Sequence, residues 1–275
     1  AEIHDPMVIR DDPADDGRRP RASRKDRFLQ QVERTICSEA DHIWWFTEDA
    51  LNYAKLRNPK LEDKGFVVLP GAEPPVCHHY HEYSDTLNLC HFGSLTNDRS
   101  LAPVLNSLET FFANHPKAKN VIRIHTYGSD IDEAAKAVLE QLNLPEIIVN
   151  HGRLESDPLT GKSGRERVIE KMYEADVLLL LHGDYEWCAE YIPSKLYEYF
   201  WAQRPVVAVT NRNRFLDELL LKHNSYVCHT HDKASILQTF ENLWRDWQRS
   251  SLKGFEGEPV SVNDAVSQIL TRVEH

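Results

Sequence analysis

Glu190 and Glu198 are the residues of this sequence whose types and spacing could do chemistry together. Seven residues separate them in Glu190-Tyr-Ile-Pro-Ser-Lys-Leu-Tyr-Glu198, between the apolar run Val177–Leu181 and the run Arg204-Pro-Val-Val-Ala-Val. That order reads as strand, loop, helix, strand, with Glu190 in the loop and Glu198 on the helix. The start of the helix near Ser194 offers free backbone N–H groups and the positive end of a dipole, which is a place for a diphosphate. Two carboxylates flanking an anion site suit a ligand with hydroxyls at both ends of a diphosphate, and a sugar nucleotide is such a ligand.

The elements that must position these residues begin at Asp85. Strand-length apolar runs fall at Leu87–Phe92, Val121–His125, Ile147–Val149, Val177–Leu181, Val206–Val209 and Tyr226–Cys228. Helical patterns separate them at Leu101–Ala113, Ile131–Leu142, Arg165–Glu174, Ser194–Ala202 and Phe215–Leu221. Largely apolar strands alternating with single helices predict an α/β fold, a parallel sheet with helices on both faces. Ligands in such folds bind outside the C-terminal ends of the strands. Gly93, Gly128, Gly152 and the Gly183–Glu190 loop all follow strands, so they should share one edge.

Three segments together resemble a known family. The Glu-x7-Glu spacing with Ile192-Pro-Ser-Lys-Leu-Tyr-Glu-Tyr199 and Arg204-Pro-Val is similar to the donor-binding half of the retaining GT-B glycosyltransferases, most of all family 4, the "group 1" enzymes. Leu89-Cys-His-Phe-Gly93-Ser-Leu resembles the glycine turn that opens that family's C-terminal domain, and His151-Gly152-Arg153-Leu154 resembles its base-binding loop. The resemblance runs from about Asp85 to Trp247 and implies a GT-B architecture: one complete Rossmann-like domain plus the C-terminal part of a second. Residues 1–75 would be the tail of an acceptor-side domain and 76–250 the nucleotide-sugar domain, with Pro70–Pro75 as linker. Residues 251–275 would form a helix crossing back to the first domain.

The resemblance also assigns roles. Glu198 would hold the ribose hydroxyls, and Glu190 the donor sugar's hydroxyls near C3 and C4. Lys195 and Arg99 would balance the diphosphate, and Gly93 would form the turn beside it. Gly152, Arg153 and Leu154 would bring backbone groups to the nucleobase. His4, in Ile3-His-Asp-Pro6, matches a histidine that faces the donor sugar across the cleft. The chain departs from the family at Tyr191-Ile192-Pro193, where a glycine-rich Phe-Gly is common. Pro193 has no N–H to donate, so backbone contacts fall to Tyr191, Ile192, Ser194 or Lys195.

The implied activity is metal-independent transfer of a sugar from an NDP-sugar to an acceptor hydroxyl with the anomeric configuration kept, in bacterial glycan or polysaccharide synthesis. The partners would be the donor and a glycan or lipid-linked acceptor, with no metal or other cofactor. The opening of the acceptor domain is not in the sequence, so the expectation is a piece of a longer chain or one half of a split enzyme. Such a half could bind nucleotide-sugar or a partner chain without turning over alone.

Composition bounds these expectations. With 41% hydrophobic and 27% charged residues the chain is ordinary for a globular protein. A net charge of −11 argues against general nucleic-acid binding. Five cysteines without framework spacing, and a charged start with no apolar run, point to a reducing cytoplasm. The basic stretch Arg18–Arg27 suits contact with the inner face of an anionic membrane, but a solvated loop is the preferred reading.

Three other motifs are weaker. Asp130-Ile-Asp132 has the form of a metal-binding Asp-x-Asp, but it opens a helix after Ser129, where acidic residues favour the dipole. Gly161-Lys-Ser163 lacks the first glycine and preceding strand of a P-loop. Cys77-His-His-Tyr-His81 has no standard zinc spacing and reads as linker.

Overall fold

The computed structural model describes residues 1–3, 8, 24–74, 85–142, 145–184 and 186–274. His4, Asp5 and the Cys77–His81 motif lie outside the described residues, as does most of the basic stretch Arg18–Arg27. Strands β1 (Glu2–Ile3), β2 (Ile43–Trp45) and β3 (Gly65–Val67) form a parallel sheet in that order, with helices α1 (Arg24–Glu39) and α2 (Glu48–Arg57) between them. Its core is small: Ile3, Cys37, Ile43, Trp45, Leu51, Ala54 and Leu61. One charge is buried with it. Glu33 accepts two bonds from the Arg57 guanidinium (2.9 and 2.8 Å) and one from Asn58 Nδ2 (2.7 Å), so the carboxylate enters the interior paired.

The second sheet positions the site. Strands β4 (Leu87–Gly93), β5 (Ile122–Gly128), β6 (Ile148–Asn150), β7 (Val177–Leu181), β8 (Val206–Thr210) and β9 (Tyr226–His229) are all parallel, in the order β6-β5-β4-β7-β8-β9. The chain therefore leaves β4 toward one edge and returns to β7 toward the other, so a crevice opens between these two strands at their C-terminal ends.

The apolar runs are continuous because alternate residues enter different cores. Leu87, Leu89, Val177, Leu179, Leu181, Val207 and Val209 pack on one face, against α3 (Ala102–Asn114), α4 (Glu133–Leu142) and α8 (Lys233–Gln248). Cys90, Phe92, Leu178, Leu180, Val206 and Ala208 pack on the other, against α5 (Gly164–Glu174), α6 (Lys195–Ala202) and α7 (Arg214–Lys222). This is the two-faced parallel sheet expected from the pattern. Helix α8 was left unassigned in the sequence reading. Its Ile236, Phe240, Leu243 and Trp244 recur at helical spacing, and Asp232 Oδ1 accepts from Ser235 N (3.0 Å) at its start.

Helix α9 (Val262–Val273) begins on Ser261, whose hydroxyl and the Asp264 carboxylate cap each other's backbone. Of its apolar residues, Ala265 is buried while Val266, Leu270 and Val273 stay half exposed. The Arg272 guanidinium lies 5.8 Å over the Phe66 ring of β3. Trp201 of α6 donates from its indole N–H to Ala72 O (3.1 Å) and Val260 O (3.3 Å), holding residues on both flanks of the large sheet at one point.

Asp132 is a structural carboxylate. It accepts from Ser100 Oγ (2.6 Å), Leu101 N (3.1 Å) and Ala135 N (2.9 Å), so one buried side chain caps the starts of both α3 and α4. Asp132→Ala is expected to cost about 2–4 kcal/mol, from two lost caps and orphaned N–H groups. A lower urea midpoint at unchanged slope would show it; a change below about 0.5 kcal/mol would refute the double cap.

Candidate functional site

The C-terminal edge of the large sheet holds a cleft of about 780 Å³ between the β4–α3 and β5 turns and helices α5 and α6. Of the residues predicted from sequence, Gly93, Arg153, Leu154, Lys195 and Glu198 line it. Phe92, Tyr127, Gly128 and Arg165 join them.

The register pairs Gly93 with Gly128. Both have positive φ, +118° and +143°, and a Cβ on Gly128 would run into the Gly93 carbonyl. A Cβ on Gly93 would stand 2.8 Å from Lys195 Nζ. Gly128 thus lets the two turns close, Gly93 leaves the space that Lys195 fills, and the lysine ammonium donates to Phe92 O at 2.6 Å. Burial lowers the Lys195 pKa to about 7, helped by the nearby Arg99 cation and opposed by Glu198.

Glu198 is partly buried and paired with Arg165, whose Nη2 donates to Oε1 at 2.6 Å. Ser194 has helical backbone angles and makes no side-chain cap. Arg153 extends into solvent beside Glu155 (3.5 Å). Gly152 donates to Asn150 Oδ1 (3.0 Å) and accepts from Gly128 N (2.9 Å), which ties the predicted base loop to the glycine pair.

A ladder of rings begins in the cleft wall with Phe92 and Tyr127 and continues to His151 and His125. Phe92 stacks on Tyr127 (4.8 Å, 7°), Tyr127 on His151 (4.4 Å, 5°), and His151 on His125 (5.2 Å, 14°). A chain of hydrogen bonds orients the two histidines. Asn88 donates its Nδ2 to Asp176 (2.9 Å), so its Oδ1 accepts from His125 Nε2 (3.1 Å). His125 Nδ1 and His151 Nε2 lie 2.9 Å apart, so one of them donates to the other. Burial, then the neighbouring His151, lowers the His125 pKa to about 4.

The remaining predicted residues form a buried layer beside the cleft. Arg99 donates from Nη2 to Tyr191 OH (3.0 Å). Glu190, at the end of the short turn Glu186–Glu190, is 2% exposed, and its carbonyl accepts from Thr47 Oγ1 at 2.6 Å. Tyr191 and Ile192 are buried. His91, fully buried, donates from Nδ1 to Leu179 O (3.0 Å). Burial and then Lys195 hold its pKa down to about 3, so it is neutral. The structure therefore brings Glu198, Lys195 and Gly93 to one cleft and puts Glu190 behind it, in the layer shared with Arg99. The sequence reading missed Arg165, Thr47 and Asn213 as contributors. No local spacing marks them, because each meets its partner across tens of residues.

No protein-family model matches this sequence, and no curated protein matches it. Its fold is nevertheless that of the GT-B glycosyltransferases. A S. aureus TarM mutant in complex with Fondaparinux, alpha-GlcNAc-glycerol and UDP aligns at a TM-score of 0.61 and 12% identity, over 98% of this chain and 47% of that one. Anabaena HepE in complex with UDP-glucose aligns at 0.65 and 12%, over 99% of this chain and 71% of that one. An alpha,alpha-trehalose-phosphate synthase (UDP-forming) from Burkholderia vietnamiensis aligns at 0.63 and 9%, over 91% and 65%. The chain spans from about half to about seven-tenths of the length of these proteins. Among the described residues, no helix is long and apolar enough to cross a membrane.

Lys195 yields a pH prediction. Folded, it is charged below about pH 7 and neutral above; unfolded, it keeps its proton to about 10.5. Between these values the unfolded chain binds more protons, so this residue makes stability rise with pH. Lys195→Met is expected to flatten that rise, and NMR of methylated lysines should show one amine titrating near 7. A Lys195 midpoint above 9 would overturn the buried, weakly compensated environment.

Proposed function

We propose that the chain is the donor-binding part of a retaining, metal-independent glycosyltransferase of the group 1 kind, acting on an NDP-sugar in bacterial glycan assembly. The observation that carries this reading is the convergence of Lys195, the Gly93–Gly128 pair, the start of α6 and Glu198 on one cleft. It lies at the strand-order reversal, where ligands of such sheets bind. UDP and UDP-glucose in the TarM and HepE complexes are consistent with it.

In this reading the diphosphate lies at the N-terminus of α6 against Lys195, with Arg99 adding charge from the layer behind. Glu198 takes the ribose hydroxyls, in exchange for part of its bond with Arg165. The nucleobase lies toward Arg153 and Leu154, beside the Tyr127 ring, and Glu190 serves the sugar hydroxyls. As the C1–O bond to the diphosphate breaks, its electron pair passes to the phosphate oxygen, and the two cations and the helix dipole stabilise that charge. The acceptor oxygen bonds to C1 on the face the diphosphate leaves, and its proton passes to that phosphate. Peripheral membrane contact and a glycan or lipid-linked acceptor belong to the same proposal.

A second reading is a half that binds donor without turnover alone. Among the described residues, the small core of the first sheet against the two larger cores of the second favours it. Sugar transfer or donor hydrolysis by the isolated chain decides between the two.

Binding measured calorimetrically with EDTA present, against UDP, GDP, TDP and ADP, tests the shared claim. One nucleotide should bind, and Glu198→Ala should weaken it about 5–150-fold, the equivalent of about 1–3 kcal/mol for stranded hydroxyl partners. No binding by the wild type would overturn the nucleotide reading. Affinity should also fall as pH rises above about 7, because the diphosphate favours charged Lys195 and binding takes up a proton. Lys195→Arg should remove that dependence.

A further inference from the structure

We propose that Asn213 is a positioning residue that sets the sugar end of the donor site through the backbone of the Glu190 loop; the proposal rests on the nucleotide-sugar reading above. Asn213 is fully buried and uses both ends of its amide. Its Oδ1 accepts from Leu216 N (2.9 Å) and caps α7. Its Nδ2 donates to Cys188 O (2.8 Å) and to Tyr191 O (2.7 Å), so one side chain grips the loop on both sides of Glu190. The carbonyl between these two, that of Glu190, is held by Thr47 Oγ1 at 2.6 Å. His182 Nε2 adds a second contact to Tyr191 O at 3.3 Å.

The consequence follows from peptide geometry. In a trans peptide the N–H of each residue points opposite to the carbonyl before it, and the described residues contain no cis peptide. Fixing the carbonyls of residues 188, 190 and 191 therefore fixes the N–H directions of Ala189, Tyr191 and Ile192, all away from the grip. Pro193 has no N–H, so that of Ile192 is the last this loop can give before Ser194, the residue that opens α6. A second Asn works in the same segment. Asn211 Nδ2 donates to Asp184 Oδ1 (2.6 Å) near the start of the same connection, and Arg212 between the two asparagines has φ +52°. Positive φ is uncommon for a residue with a long side chain and is held only where surroundings over-determine it. The turn after β8 is thus built as a seat for the β7–α6 connection, with Asn213 as its main contact.

A cap alone and a cap with a grip respond differently to substitution. Asn213→Ser keeps a side-chain oxygen for the α7 cap and removes the amide donor; Asn213→Asp keeps the cap and sets a carboxylate against two carbonyls. The measurement is the dissociation constant of each protein for UDP and UDP-glucose, or for whichever of GDP, TDP and ADP binds instead, with its glucosyl ester. The expected result is a UDP constant within threefold of wild type in Asn213→Ser, while the ratio of UDP to UDP-glucose constants falls at least fivefold. Asn213→Asp should lower the ratio further. Hydrogen exchange should rise in residues 188–192 of both variants and stay unchanged in β8.

An unchanged ratio with intact UDP binding overturns the proposal and leaves the nucleotide reading standing. Equal loss of both ligands also overturns it, because that is the response of a cap alone. A wild type that binds neither ligand overturns the nucleotide reading and this one with it.

Discussion

The site depends on a hole in the sheet edge and the cation that fills it. Without side chains at Gly93 and Gly128, the turns after β4 and β5 close to backbone contact, and Lys195 can bring its ammonium to Phe92 O. The lysine is then poorly hydrated and stands near a second cation, Arg99. Glu198, the nearest opposing charge, is engaged by Arg165. Two cations with incomplete compensation are unfavourable in a low-dielectric layer, and an anion entering the cleft relieves both at once. The stacked rings of Phe92 and Tyr127 give the cleft one flat wall.

The rest of the large sheet serves to hold this edge still. Alternate residues of each strand enter two separate cores, so the strand ends cannot tilt without disturbing helices on both faces. Asp132 adds a polar fixture, since one carboxylate sets the starts of α3 and α4 and therefore the path of the loop through Arg99. The β7–α6 connection has little regular ladder of its own. Side chains from other elements hold its carbonyls, and one of them, Thr47, belongs to the first sheet. The loop carrying Glu190 is thereby joined to both parts of the molecule.

Most of the scaffold was legible because its signals are local. Largely apolar runs bounded by turn residues located all six strands of the large sheet, and the structure moves their ends by only a residue or so at most positions; β5 runs three residues further, through Tyr127 to Gly128. Helix α8 escaped the reading although Ile236, Phe240, Leu243 and Trp244 recur at helical spacing. The Asp130-Ile-Asp132 motif was read as a helix opening, and its second carboxylate does cap there; its simultaneous grip on Ser100 and Leu101 joins residues about thirty positions apart. Nothing in a local window could show it.

What the sequence determined by itself was the order of elements, the shared edge of the post-strand glycines and the placement of Glu198 on the helix after the fourth strand-like run from Asp85 onward. These follow from periodicity, turn chemistry and the parallel-sheet rule, which act over a few residues. Only the tertiary structure decided the state of the groups at that edge. That Lys195 is buried against Phe92 O, that Glu198 is shared with Arg165, that Glu190 sits behind the cleft and that Asn213 grips its loop all depend on distances between residues far apart in sequence. Burial and charge act through space, so the chemistry of a side chain is set only when its neighbours have arrived.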